Sequence, residues 1–255
     1  GRPGVGDPQA EAQDEGWRLM AYALTDALIL VGGYNLSGDL NKVSLDLEGG
    51  EETDTTFGDS FHSRPGNQMA DVKMSATGFW QSAAAAAPDP VVNSALGTSS
   101  LVTVGASSAV GSTAYLLGMH TGKCSMENTI GSVSSFSLHT SGSSGFGPAR
   151  GLLMMATTLS GSTTGSGFQL GAVSATQDVY IAIHVTVAGT TADIIVESDD
   201  NSGFTTATTR STTTATTTGG AVVAPVSGAI TDDYWRVRVA NVTGTFLIAV
   251  AVAIK

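Results

Sequence analysis

The densest chemistry in the sequence is acidic. Glu48, Glu51, Glu52, Asp54 and Asp59 crowd one short stretch, and paired carboxylates at a fixed separation are what glycoside hydrolysis requires. Their setting argues against that use. The segment Gly49–Gly66, GGEETDTTFGDSFHSRPG, is polar and holds four glycines and Pro65, a poor place to hold two carboxylates at a set distance. It reads as a solvated or assembly loop. His62, His120, His139 and His184 have no ligand-like spacing. A zinc site from His120, Cys124 and His139 would need the fold to bring them together, and a buried, inert thiol is the expectation for Cys124. His184 sits in the polar phase of an alternating strand and reads as a surface or interface imidazole. Asp199-Asp200-Asn201 looks like a calcium-binding turn but lacks the twelve-residue loop and closing Glu, so a hairpin turn is expected. Asp232-Asp233 reads as a turn before a strand, and Arg236 with Arg238 as a solvated face. Gly-x-Ser-x-Gly, His-Glu-x-x-His and Cys-x-x-Cys patterns are absent from the sequence. No enzyme, metal or cofactor is expected.

Composition sets the frame that must position these residues. Charged residues make up 13% of the 255, about half the ~25% of ordinary soluble domains. Hydrophobic residues reach 42%, enough for a core and too many for intrinsic disorder. The net charge is −11. A chain that bound nucleic acid without regard to sequence would carry Lys/Arg stripes to neutralise phosphates, and none is present. With one cysteine there is no intrachain disulfide. The apolar runs Ala27–Val31 and Phe246–Ile254 are far shorter than the ~20 residues of a spanning helix, so no membrane role is expected.

The elements follow from period. Gly1–Leu19, rich in acidic residues, Pro and Gly, reads as a flexible arm, with ordered structure expected from about Met20. Val43, Leu45 and Leu47 alternate with Ser44, Asp46 and Glu48, and Val72, Met74 and Ala76 repeat the pattern after the long loop. Asp89 as N-cap, Pro90 at the first position and Gly97 as a left-handed stop predict one short helix near Pro90–Leu96. Short strands follow near Leu101–Val104, Ser112–His120 and Val133–His139. Leu159–Gly171 reads as a linker or long turn. Beyond it, Val179–Val187, Asp193–Glu197, the Thr205–Thr218 tract, Tyr234–Val242 and Thr245–Lys255 read as strands of a small sandwich. The expectation is an all-β chain with one short helix, divided at 20–158 and 159–255 behind the arm at 1–19.

Three stretches in order now carry a resemblance. Asn35-Leu36-Ser37-Gly38-Asp39-Leu40-Asn41-Lys42-Val43-Ser44-Leu45 runs into Asp54-Thr55-Thr56-Phe57-Gly58-Asp59 and then Ala76-Thr77-Gly78-Phe79-Trp80. With Gly111–Tyr115, this order resembles the major tail (tail tube) proteins of long-tailed bacteriophages. Val196–Phe204 and Asp232–Val237 look like the trailing β domain of the same proteins. The resemblance implies a tail-tube-type β-sandwich or barrel followed by a second small β-sandwich on the tube exterior. It implies hexameric rings stacked into a tube in the virion, with other tail proteins at the tube ends. DNA would pass through the lumen without specific binding, which the acidic balance suits. Phe57 and Phe61 are apolar anchors in an otherwise solvated loop, so Glu51, Glu52, Asp54, Phe57, Asp59 and Phe61 are the expected contacts between stacked rings. The alternative is a secreted or surface β-sandwich binding module, for glycan or protein, with Trp80 or Trp235 as its platform.

Overall fold

A computed structural model describes residues 26–49, 71–82, 87–143 and 147–255. In chain order come β1 (Leu28–Val31), β2 (Tyr34–Asn35), β3 (Leu40–Glu48), β4 (Asp71–Phe79) and α1 (Pro88–Ala95). Next are β5 (Ser99–Gly105), β6 (Thr113–Glu127), β7 (Ser135–Gly142), β8 (Ala149–Leu159), β9 (Thr163–Thr164) and β10 (Phe168–Gln169). β11 (Asp178–Val187), β12 (Thr191–Asp199), β13 (Thr208–Ala215), β14 (Gly219–Ser227), β15 (Tyr234–Thr243) and β16 (Phe246–Ile254) follow. Among the described residues the fold is all-β with one short helix, as the alternation implies.

Two sheets hold these strands. The larger has eleven, with the path β14-β11-β16-β8-β6-β5-β1-β2 and a branch of β7, β4 and β3. The branch exists because β6 is long. Its first half pairs with β5 and β8, and its second half leaves them to pair with β7. The expected β3–β4 pair is antiparallel, with Val43 opposite Ala76 and Leu45 opposite Met74. The smaller sheet runs β10-β15-β12-β13, with β9 also on β15.

Apolar packing falls in three layers. Val179, Ile181 and Ile183 of β11 and Phe246, Ile248, Val250 and Val252 of β16 pack against Ile194, Val196, Trp235, Val237 and Val239 of the smaller sheet. The opposite face of the same two strands is small. Ala182, Ala249, Ala251 and Ala253 line the inside of the curled larger sheet with Leu28, Leu30, Leu116 and Leu153. Strands covered on both faces read as near-continuous apolar runs, which is why FLIAVAVAI carries no charge. The third layer joins Ile29, Val102, Leu117, Met119, Phe136 and Leu138 to Val91 and Val92 of α1.

A boundary at 158/159 would fall inside this bonded sheet. β11, β14 and β16 come after it in the chain, yet β16 pairs with β8 from Phe246–Leu159 to Ala253–Gly151. The C-terminal sandwich exists, but one of its layers is also the wall of the curled sheet. Two local readings shift as well. Leu159–Gly171 is not a bare linker, because β9 and β10 pair with β15. The helix starts at Pro88, with Ala87 at the N-cap position and Asp89 in its first turn, while Gly97 takes the left-handed angle expected, φ +74°. Pro88 occupies the first position because its missing N–H has no helical partner to lose.

The larger sheet curls until β11 and β14 return against β2 and β5. At this seam two glycine pairs meet backbone to backbone. A Cβ on Gly33 would lie 2.6 Å from the Gly219 nitrogen, and one on Gly220 would lie 2.8 Å from the Gly32 Cα. Only hydrogen side chains permit that approach.

Candidate assembly interface

The six residues expected to join stacked rings, Glu51, Glu52, Asp54, Phe57, Asp59 and Phe61, lie outside the described residues, as does the arm at 1–19. The strands that launch and receive the loop are described. Glu48 and Asp71 end opposite each other in register, and Lys73 bridges both, at 2.9 and 3.4 Å. All three side chains are more than half exposed, so these pairs contribute little to stability. The two loop stems are held side by side by the β3–β4 ladder, which runs to its last pair there.

Two long edges of the larger sheet are open among the described residues. β3 pairs only with β4, and β14 only with β11. An open edge presents a row of unpaired backbone donors and acceptors, a template for another chain. β14 is blunted by Pro225, whereas β3 has no proline. Beyond β3, the far end of the branch exposes apolar side chains. Phe79 is 47% exposed, Met126 52%, Val133 73% and Ile130 fully.

Several residues singled out in the sequence are placed differently from expectation. His184 is not at the surface but fully buried. Its Nδ1 lies 2.7 Å from the Gly32 carbonyl and its Nε2 2.8 Å from the Thr103 hydroxyl. A carbonyl only accepts, so Nδ1 carries the hydrogen and the neutral ring's Nε2 accepts from Thr103. Burial drives the imidazole pKa down to about 4, against a smaller upward pull from the Gly32 carbonyl. Strand period could not expose this, because it assumes that the polar phase faces water. Here that phase faces β1 and β5.

Arg236 and Arg238 are not a solvated face either. Both clamp the buried Glu197, Arg236 Nε at 2.8 Å from Oε2 and Arg238 Nε at 2.9 Å from Oε1. Burial opposes the Glu197 charge, but the two arginines prevail and hold its pKa below the ordinary value. The Phe204 ring lies 4.3 Å from the Arg236 guanidinium carbon, a cation–π contact that fixes its plane. A second pair, Arg210 to Asp232 at 2.7 Å, ties the turn before β15 to β13, and Ser198 donates to the same Asp232 oxygen. The signal for these clusters lay in cross-strand register, with Glu197 opposite Arg236.

The turn reading of Asp199-Asp200-Asn201 stands on geometry. Asp199 accepts from the Asn201 and Thr206 backbone N–H groups at 3.0 and 2.8 Å, and Asn201 accepts from Gly203 at 2.7 Å. Burial opposes the Asp199 charge, yet these bonds keep its carboxyl below the usual range. His120, Cys124 and His139 do not converge. His120 opposes Ser141 and His139 opposes Lys123, whereas Cys124 opposes Leu138 on the other face. Burial, with the Asp89 carboxylate, pushes the Cys124 thiol pKa up. Neither proposed tryptophan platform is open. Trp235 is fully buried and donates to the Gly171 carbonyl, and Trp80 packs edge-on against Phe136 at 6.2 Å. Among the described residues no helix is long and apolar enough to cross a membrane.

No protein-family model and no curated protein matches the chain. Solved structures with some likeness include a chain from the virion of a native gene transfer agent particle, at 11% identity and TM-score 0.42, over 50% of this chain and 98% of that one. A chain from the tail of an empty particle of the same kind, computed with C6 symmetry, aligns at 12% identity and TM-score 0.39, over 49% and 96%. The SPP1 Dit protein, described as a hub of the adsorption apparatus in phages infecting Gram-positive bacteria, aligns at 11% identity and TM-score 0.36, over 90% and 99%.

Proposed function

We propose that this chain is a structural, non-enzymatic subunit of a phage tail tube, assembling as hexameric rings that stack around a DNA-conducting lumen. The observation that carries the reading is the pair of open edges on one sheet. The outer edge of β3, nine residues long, is free of any partner strand among the described residues. That of β14, also nine residues, is met by the same chain only at Gly219 and Gly220. Neighbouring copies that pair along these edges would close them, and a closed ring removes such edges. The sequence resemblance points to the same assembly. A net charge of −11 suits a conduit that repels its cargo. In this reading the smaller sheet stands on the tube exterior, other tail proteins cap the tube ends, and the product resides in the virion.

Stacking contacts are assigned to the loop 49–66. The double variant Phe57→Ala with Phe61→Ala should keep the parent's circular dichroism spectrum while its polymer no longer sediments at parental concentrations. A double variant that sediments like the parent removes the loop from the interface.

A further inference from the structure

The branch that carries β3 has a second, shorter open edge on its far side. β5 covers β6 only as far as the Ser99–His120 pair, and just past it the Thr121 N–H and carbonyl meet Thr98 and Gly97. Beyond that point Lys123–Glu127 pair with β7 alone among the described residues. Lys123, Met126 and Glu127 are exposed, and Cys124 and Ser125 are half-buried. Every neighbouring pair from β3 through β4 and β7 to β6 is antiparallel, so β3 and β6 run in opposite directions. Copies related by rotation about an axis near the strand direction keep that sense. The β3 edge of one then meets the β6 edge of the next as an antiparallel pair, the bonding pattern of the rest of this sheet.

Side chains select the register. The cross-strand rows Ser44–Ser75–His139–Lys123 and Lys42–Thr77–Ser137–Ser125 put Lys42, Ser44 and Asp46 on the same face as Lys123, Ser125 and Glu127. The opposite face, toward α1, carries Val43 and Leu45 on β3 and Cys124 and Met126 on β6. A one-residue slip would turn the charges onto that apolar face, so the allowed registers differ by steps of two. One of them sets Asp46 opposite Lys123, Ser44 opposite Ser125 and Lys42 opposite Glu127, with Val43 against the exposed Met126 and Leu45 against Cys124. A shift of two residues either way loses both ion pairs, and a shift of four sets Lys42 against Lys123 or Asp46 against Glu127. Among the described residues none of these four charges makes an ion pair within the chain. Lys73, opposite Asp46, is committed to Glu48 and Asp71 at 2.9 and 3.4 Å. β14 carries no charge and holds Pro225, so it offers Lys42 and Asp46 nothing.

We infer that β3 of one copy adds to the Lys123–Glu127 edge of a second copy, in the register that pairs Asp46 with Lys123 and Lys42 with Glu127. The two edges complement each other in direction, charge and apolar face, and a heterologous contact of this kind generates rings. The inference rests on the ring reading and names the edges that join. The rival is β3 on β3 across a two-fold at Ser44, which also sets Lys42 against Asp46 but leaves Lys123, Met126 and Glu127 in solvent. Two full-length preparations in a Cys124→Ser background separate them, one with Ser44→Cys and one with Ser125→Cys. Mixed and oxidised under assembling conditions, they should give disulfide-linked dimers that neither gives alone. Lys123→Glu should leave the melting temperature of the dilute chain unchanged and raise the concentration needed for assembly roughly fivefold or more. Adding Asp46→Lys to it should restore most of the loss. Ser44→Cys that cross-links to itself puts β3 on β3 and overturns the inference. Assemblies that form without the mixed cross-link and ignore Lys123→Glu overturn it and leave the ring reading standing. A parent chain that stays monomeric at high concentration overturns both.

Discussion

His184 shows how much one buried ring can decide. It ties β11 to the β1–β2 turn and to β5 across the seam of the curl. Its folded pKa of about 4 lies below the ~6.5 of an exposed imidazole, so the unfolded chain takes the proton first. Its contribution is whole above pH ~7, drains as pH falls from about 6.5 to 4, and is flat below, a loss of about 3 kcal/mol. Urea unfolding across that range should show the slope in the parent and lose it in His184→Gln. An equal slope in both would place the titration elsewhere. Glu197 behaves oppositely in origin but alike in direction. Its pKa is depressed by Arg236 and Arg238, so its stabilisation holds above pH ~4.5 and is lost in stronger acid. Glu197→Gln strands two half-buried guanidiniums and should cost roughly 2 kcal/mol in unfolding measurements at neutral pH. A neutral effect would mean that water serves the arginines as well as the carboxylate does.

Between elements, the decisive fact is that β11 and β16 belong to two layers at once. A chain ending at Thr158 loses both, leaving Leu28, Leu30, Leu116 and Leu153 without the alanine-faced wall that covers them. At 1.5–3 kcal/mol for each large apolar side chain returned to water, that fragment should not fold. Soluble, cooperatively melting material from residues 20–158 would contradict this. The sequence was readable where one face meets water. β4 alternates buried and exposed along its length, and its register with β3 came out as the sequence pattern implies, although β3 at the sheet edge buries no face fully and leaves Leu47 half exposed. β14 was not readable, because Gly219, Gly220 and Pro225 are turn signals that only an edge strand tolerates. β9 and β10, two residues each, are too short for any period. The shared wall was hidden for a third reason. Alternation reports that both faces of FLIAVAVAI are apolar, but not that one faces β12 and β15 while the other faces β1 and β6. The same non-local information separates Glu197 from its arginines by some forty positions in the chain.

At the scale of the whole molecule, the larger sheet is an incomplete object. It has covered its own seam with glycine contacts and a histidine, yet among the described residues β3 and β14 each have a partner strand on one side only, and an apolar turn lies in solvent. A monomer that kept such features would tend to aggregate. A subunit whose neighbours cover them would not. The acidic balance belongs to the same picture, since it discourages non-specific contact. The most direct test is cryo-electron microscopy of the purified full chain at rising concentration. The account predicts stacked rings of six copies around an open lumen, with β3 of each copy covered by its neighbour. Monodisperse particles of a single copy at every concentration, or assemblies in which β3 and β14 stay in solvent, would contradict it.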